Sequence, residues 1–579
     1  MNTDALLKNF DAIASSRGGV GQLRKTILQL AFTGQLIDSD PADSSAAELL
    51  NHAIEVKSEL VEAGAVPKPR RLTEQAVDTH PFDIPPGWIW ARLDDLAVYI
   101  QRGKGPKYVE LSNVPVVSQK CVQWSGFDLS RARFVDEATL STYKPERFLE
   151  AGDLLWNSTG TGTVGRVNVY PGSKEFEAVV ADSHVTVIRT KVCSSNFLTY
   201  WLSSPAVQST IEEITTGSTN QQELNTQTIR QQPVPLPPIE EQSRIVDKVD
   251  ELMQLCASLQ ASQDARHYAR NDLRSSSIRA LVEAGDREEQ EVAWKRIDSY
   301  WGVLTQDTPA VAELRNAVIE MGIRGKLSNR IATDEPVAAT IERCSSEKLR
   351  LLESGIVRKQ ASLSRPLEER FRLPDGWVWK QMDECFLVTG GITKSTKRSP
   401  SGNAFPYLRV ANVQRGRLDL DEISHLELFD GEIDRYRLEQ GDLLVVEGNG
   451  SEKEIGRCAR WSGEIETCVH QNHLIRCRPL ESGLEHFVLL YLNSPSGVEL
   501  MKTLAVTTSG LFNLSVGKIR AISVPVPPLE ERERIVESVD QLLSACDDLH
   551  TSIGARVASE QALVEAMTSL EELPRSLSR

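Results

Sequence analysis

This chain lays out one plan twice. The segment PLPPIEEQSRIVDKVDEL (235–252) returns as PVPPLEERERIVESVDQL (525–542), identical at 11 of 18 positions at an offset of 290. Other matches keep the same order at nearly the same offset. LRKTILQLAFTGQL (23–36) pairs with LRNAVIEMGIRGKL (314–327), GWIW (87–90) with GWVW (376–379), and GDLLW (152–156) with GDLLV (441–445). SHVTVIR (183–189) pairs with NHLIRCR (472–478), and LSSP (202–205) with LNSP (492–495). A collinear repeat of this extent is a duplication of about half the chain, and it calls for two similar units. At 579 residues one core is implausible on size alone.

Each half opens with a helical stretch, where Leu23, Ile27, Leu30 and Ala31 recur at helical spacing. A Pro-rich lead-in (PFDIPPGW, RFRLPDGW) then begins a region of short strand-like runs such as VPVVS, GRVNVY and HVTVIR. The region closes at P-x-P-P. A new helix starts there, since proline suits a first helical turn and Glu240–Glu241 and Glu530–Glu531 suit its dipole. Along this helix Ile245, Val249, Leu252, Cys256 and Leu259 are spaced 4-3-4-3. Ile535, Val539, Leu542, Cys546 and Leu549 repeat the spacing, which is a coiled-coil seam. The second seam runs on to Ile553, and if the first helix continues to about Glu283 it is ~65 Å long at 1.5 Å per residue. The simplest packing pairs the two helices about a pseudo-twofold axis; the alternative buries each seam in its own half. The predicted class is α+β, with two mixed α/β domains separated by long paired, coiled-coil helices in an internal duplication. The boundaries are 1–84 helical, 85–235 globular, 236–374 helical spacer, 375–527 globular and 528–579 helical.

Hydrophobic residues make up 40% and charged residues 25%, which excludes a mainly disordered chain. No run approaches the ~18 apolar residues of a membrane helix, and MNTDALLKNFDAIASS lacks a signal pattern. Nine irregularly spaced cysteines without a C-x-x-C pair read as reduced thiols of a cytoplasmic protein. Net charge is −16, yet the two globular stretches carry only −1 and −3, while 528–579 carries −6. The globular stretches can therefore present basic faces, and the C-terminal helix an acidic one.

Two variable regions, each closed by P-x-P-P-[IL]-E-E-x-x-R-I-V and a helical spacer, resemble the specificity subunit of type I restriction–modification systems. The GW-x-W opening, the G-D-L-L strand and the L-x-S-P turn belong to the same resemblance, which covers nearly the whole chain. It implies a DNA-reading subunit without chemistry of its own. Each variable region would be a target recognition domain for one half of a split, asymmetric duplex sequence. The helices would space the domains and dock two modification (adenine-N6 methyltransferase) subunits, with restriction (ATP-driven translocase and nuclease) subunits joining them. S-adenosylmethionine, ATP and Mg would belong to those partners and no cofactor to this chain. Half-sites would centre ~10 bp apart if both domains met one face of the duplex.

Three loop types per domain are candidates for DNA contact. The first is IQRGKGPKY (100–108), with Arg102, Lys104 and Lys107, matched by VTGGITKSTKR (388–398), with Lys394, Lys397 and Arg398. Glycine lets backbone approach a phosphate, and cations displace counterions. The second is NSTGTGTVGR (157–166), with Thr159, Thr161 and Arg166, matched by GNGSEKEIGR (448–457), with Asn449, Ser451, Lys453 and Arg457. Small polar groups there suit sugar-phosphate or base edges, whereas the aligned arginines serve either a phosphate or a structural salt bridge. The third is TTGSTNQQELN (215–225), where Asn220, Gln221 and Gln222 could pair with adenine as side-chain amides do. Its counterpart TTSGLFNLS (507–515) offers Asn513 instead, with Lys518 just beyond. His184 and His473 align in strand-like runs, where a buried, hydrogen-bonded imidazole is favoured over a catalytic one. Trp88, Trp90, Trp377 and Trp379 alternate at strand spacing and read as packing.

Gly160–Gly165 fits G-x-G-x-x-G, but RVNVYPGSK after it is a poor helix and the second copy loses the pattern, so a nucleotide cofactor site is rejected. The chain has no P-loop, no [DN]-P-P-[YF] motif, no zinc-spaced Cys/His array and no G-x-S-x-G. Two rival classes stand beside a DNA reader. One is an enzyme with unrecognised motifs, such as a duplicated DNA methyltransferase or nuclease. The other is a coiled-coil scaffold that never touches DNA.

Overall fold

The computed structural model describes residues 13–14, 16, 18–68, 72, 80–160, 162–215, 223–329, 331–357, 360–361, 363, 369–400, 402–448, 454–505 and 513–568, with no side-chain detail for 212–215 and 565–568. The chain divides into two units. Unit 1 takes the described residues of Met1–Arg266 and Glu560–Arg579, and unit 2 those of His267–Ser559.

In unit 1, helices α1 (Gly19–Phe32) and α2 (Ala46–Glu62) precede the first globular domain. α1 buries Leu23, Ile27, Leu30 and Ala31, the spaced apolar set. It stops at Gly34, whose φ of +68° favours glycine. A Cβ on Gly34 would lie 2.1 Å from Pro85, so the helix end and the Pro-rich lead-in fit only around a bare backbone. The lead-in continues as strand Ile89–Arg92, antiparallel to Pro233–Leu236, with Trp90 opposite Pro235. This ribbon has two strands, so each has a free edge, and prolines without an N–H are tolerated on such an edge. The ribbon ties the domain's beginning to its end. Between them lie two four-stranded sheets. One runs in the order Tyr99–Arg102, Val185–Arg189, Leu154–Asn157, Val167–Val169 and is antiparallel throughout. The other runs Val180–Ala181, Pro115–Val117, Arg133–Val135, Tyr108–Val109.

Unit 2 repeats the design. α4 (Thr308–Ile323) and α5 (Val337–Glu353) stand where α1 and α2 do; they follow α3 (Ile239–Glu283), the long helix that begins in unit 1. The ribbon pairs Val378–Gln381 with Ser523–Val526, Trp379 opposite Pro525. The main sheet is Phe386–Gly390, Leu474–Pro479, Leu443–Val446, Cys458–Arg460. The second sheet has three strands, Ser424–Glu427, Ala404–Leu408, Val469–His470. The second long helix is α6 (Leu529–Thr568).

The E-E-x-x-R signature at the start of each long helix fastens that helix. Arg244 pairs with Asp43 at 2.6 Å and Arg534 with Asp334 at 2.7 Å. Ser44 donates to Glu240, and the Glu335 N–H to Glu530. Trp377 Nε1 donates to Glu531 at 3.1 Å. Trp88 and Trp377 are buried and Trp90 and Trp379 pack at the core margin, as the alternation predicts.

Within each unit the seam is covered by the repeated short helix. Ile245, Val249 and Cys256 are buried with Leu23, Ile27 and Phe32 of α1, and Leu252 and Leu259 pack at the margin. Val564 of α6 joins the same cluster. Ile535 and Val539 are buried with Ile323 of α4, which comes so close that a Cβ on Gly322 would sit 2.6 Å from Val539. Cys546 packs with Val311 of α4 and Ile553, with Leu549 beside them, while Leu542 is 40% exposed. The upper turns of each seam therefore lie in the core of their own half. All nine cysteines are buried and free. Among the described residues no helix is long and apolar enough to cross a membrane.

Candidate nucleic-acid interface

The described ends of the three loop types meet at one end of the main sheet in both units. The first loop leaves its strand at Gly103, whose N–H donates to Val185 at 2.9 Å. A Cβ there would lie 2.2 Å from the carbonyl oxygens of Ala181 and Asp182. Gly391 makes the same crossing, 2.3 Å from the His470 oxygen and 2.4 Å from that of Gln471. The close approach explains the shared glycine, since any side chain would push the loop off the sheet. The second and third loops join through short bridges, Thr159 with Glu223 and Gly448 with Asn513. The N–H of Leu224 donates to Ser158 at 2.8 Å and that of Leu514 to Glu447 at 2.6 Å. Ser158 and Glu447 in turn donate their N–H groups to His184 and His473, each at 2.9 Å.

The histidines are exposed, contrary to the expectation of burial. Each strand starts one residue later, at Val185 or Leu474, so the imidazoles fall on the loop cluster. His184 Nδ1 bonds the Thr159 hydroxyl at 2.6 Å, and His473 Nδ1 lies 3.3 Å from Glu447.

Most candidate cations already have partners inside the chain. Arg102 donates to Glu223 at 2.6 Å and to the Leu224 carbonyl at 3.0 Å, which ties the first loop to the third. Lys104 reaches Thr142 and lies 4.6 Å over the Tyr143 ring, and Lys107 pairs with Asp136 at 2.8 Å. Arg166 donates to the Gln123 side chain and the Gly162 carbonyl. Arg457 pairs with Glu454 at 2.9 Å and also donates to Gln414 and the Val410 carbonyl. Arg398 forms a two-pronged pair with Glu432, both bonds 2.7 Å, and lies over Phe429. Lys518 donates to the Asn513 carbonyl at 3.1 Å. Lys394 and Lys397 differ, being exposed and without an ion-pair partner among the described residues. Thr161, Asn220, Gln221, Gln222, Asn449, Ser451 and Lys453 lie outside the described residues. After Gly165 the chain forms strand Val167–Val169, so the glycine run leads into no helix.

Sequence reading missed what the aspartate of G-D-L-L does. Asp153 is fully buried and accepts two bonds from Arg189, each 2.7 Å. Asp442 does the same for Arg478 at 2.8 and 2.9 Å. Burial disfavours the charge on each guanidinium, but Asp153 with Glu150, and Asp442 with Glu439, raise its pKa above the ordinary value. The available signal was an aspartate and an arginine recurring together at the repeat offset.

The sequence profile of the type I restriction modification DNA specificity domain matches residues 87–265 and 374–558. The chain belongs to this family. Each match spans one recognition domain and the first part of the long helix after it, so the duplication is a duplication of specificity domains. The EcoEI specificity subunit of Escherichia coli is 24% identical over 568 residues, covering 95% of this chain and 93% of that one. The EcoAI specificity subunit of Escherichia coli is 23% identical over 558 residues, with 95% and 93% covered. A chain from a solved type I R-M system has a TM-score of 0.47 at 17% identity, covering 84% of this chain and 98% of its own. As a specificity subunit, this chain has two recognition domains that fit a bipartite target.

Proposed function

We propose that each recognition domain reads one half of an asymmetric, bipartite duplex target, and that the long helices set the distance between halves. The observation that carries this is the repeated meeting of three loops on one sheet end, with different side chains at matching places. In this reading the chain has no chemistry of its own. Two adenine-N6 methyltransferase subunits dock on its helices and supply the S-adenosylmethionine reaction. Restriction subunits add ATP- and Mg-dependent translocation and cleavage, all in the cytoplasm. Docking surface is available in unit 2, where the exposed Trp294 and Trp301 line a groove of about 1740 Å³ together with Leu281, Met321, Phe371 and Leu549.

The test is to map methylated adenines in host DNA by single-molecule sequencing, before and after inserting one heptad in the middle of α3. A bipartite motif that changes its internal spacing, or disappears, supports the reading. A motif with unchanged spacing at full activity removes the helices from the measurement. Methylation by the isolated chain would instead assign it the chemistry.

A further inference from the structure

In both domains the arginine that ends the second loop is clamped to a hairpin. Arg166 Nη1 donates to Gln123 Oε1 at 2.5 Å, and Arg457 Nη1 to Gln414 Oε1 at 3.1 Å. In the first domain Val122 pairs with Phe127 and Gln123 with Gly126, which leaves Trp124–Ser125 as the tip. In the second, Val413 bridges Leu418 and the Gln414 N–H donates to Arg417 at 2.9 Å, which leaves Arg415–Gly416 as the tip.

The base of the first hairpin is held on several sides. Val122 is fully buried, and Phe127 meets Tyr170 edge-on at 5.5 Å. Asn157 donates to the Val122 carbonyl and Asn168 to that of Gln123 at 2.6 Å. Those asparagines sit on the two strands that carry the second loop between them. The hairpin thus stands on a fixed mount beside the loop cluster. Its tip is free: Trp124 is 57% exposed. Lys120, at the hairpin's foot, is exposed with no side-chain partner among the described residues. In the second domain Arg415 folds back toward Asn493 and the Ile455 carbonyl, whereas Arg417 is exposed with no side-chain partner among the described residues.

A single exposed tryptophan is ordinary on a protein surface. A rigidly mounted one, accompanied in the sibling hairpin by an exposed arginine, Arg417, on the strand just after the tip, is a different observation. These are the two side-chain types that hold nucleic acid, one by its flat apolar face and the other by charge. We propose that this hairpin is a fourth DNA-contacting element of each recognition domain. Trp124 packs its indole on a base of the first half-site, and Arg417 contacts a phosphate of the second. The proposal rests on the DNA-reading function above.

The experiment uses the full chain assembled with its methyltransferase partners and a fluorescein-labelled duplex carrying the mapped target. Binding is followed by anisotropy across a salt series, with abasic substitutions along both half-sites. W124A is expected to weaken binding about 10-fold or more without changing the salt slope, and W124F to retain most of the affinity. One abasic position in the first half-site should weaken the wild type and leave W124A unaffected. R417A should lower the salt slope by about one. Trp124 and Arg417 are both exposed, so melting temperatures should match the wild type. If the wild type fails to prefer the target, the DNA-reading function itself falls. If the wild type binds specifically while W124A and R417A match it in affinity, slope and abasic profile, the hairpin proposal is overturned. Loss of methyltransferase subunits from W124A with DNA affinity intact would overturn it too, as that assigns the tryptophan to a protein contact.

Discussion

In the strand that packs under the first loop, the first recognition domain places Ala181 and the second His470. Both are buried, and both occupy the same place in a short parallel pairing, Ala181 beside Val117 and His470 beside Leu408. The neighbouring glycine crossing is unchanged, and so are the buried Asp–Arg pair and the bridge between second and third loops. What varies is the side chain hung on a fixed frame. On the hairpin the first domain exposes an indole at the tip, Trp124, and the second a guanidinium just after the tip, Arg417. On the first loop, lysines are tied down in one domain and free in the other. The two domains share a frame because backbone crossings and buried charges tolerate few alternatives. Apart from the buried Ala181 and His470, they diverge where side chains face outward, where a change costs the fold little.

The comparison is tested most severely at the shared frame. Replacing Asp153 or Asp442 with Ala removes two charge-assisted hydrogen bonds and leaves Glu150 as the remaining acidic partner of Arg189 and Glu439 as that of Arg478. Each substitution should destabilise its own domain by about 1–3 kcal/mol. Urea unfolding, with hydrogen exchange to assign the affected domain, should give losses of similar size in both. A substitution tolerated in one domain alone would show that the frame is not common to the two.

A smaller effect separates the domains by acid. Burial first, and then the charge of Arg476, push the His470 imidazole down to about 3, against an ordinary value near 6.5. The unfolded chain therefore binds a proton that the folded domain excludes. The stability from keeping His470 neutral is complete above about pH 6.5 and declines as pH falls from there toward 3. The protection of the Val469–His470 strand against hydrogen exchange, corrected for the intrinsic rate at each pH, should fall over that window, and His470→Ala should remove this contribution. If the His470→Ala variant showed the same acid profile as the wild type, the imidazole would not be the sensitive group.

The smallest expected effect concerns the first loop. Lys394→Ala with Lys397→Ala should lower the dependence of log affinity on log salt by about two, one for each phosphate contact. Lys104 and Lys107 hold Thr142 and Asp136, so their replacement should change the slope less. Equal slopes for the two double variants would remove the distinction between free and tied lysines.

Much of the architecture is legible before folding is considered. The repeat offset sets two units and the 4-3-4-3 apolar spacing sets the two long helices, whereas the spacing stops at Leu259 and the end of the first helix at Glu283 is seen in the structure. Alternating tryptophans mark the ribbon that closes each domain. These are local periodicities, and local geometry enforces them. The interface was only partly legible. That Arg102 is held by Glu223 and Arg166 by Gln123, and that His184 sits on a loop surface, depends on segments brought together across the fold. The same holds for the seam. Its spacing said that these residues would be buried, but whether α1, α4 or another long helix would cover them was settled by packing. Sequence alone determined the duplication, the order of elements and the family, because each is written in spacing along the chain. Tertiary structure decided which charges remain free to meet a partner, because a cation's availability depends on what lies within about 4 Å of it in space.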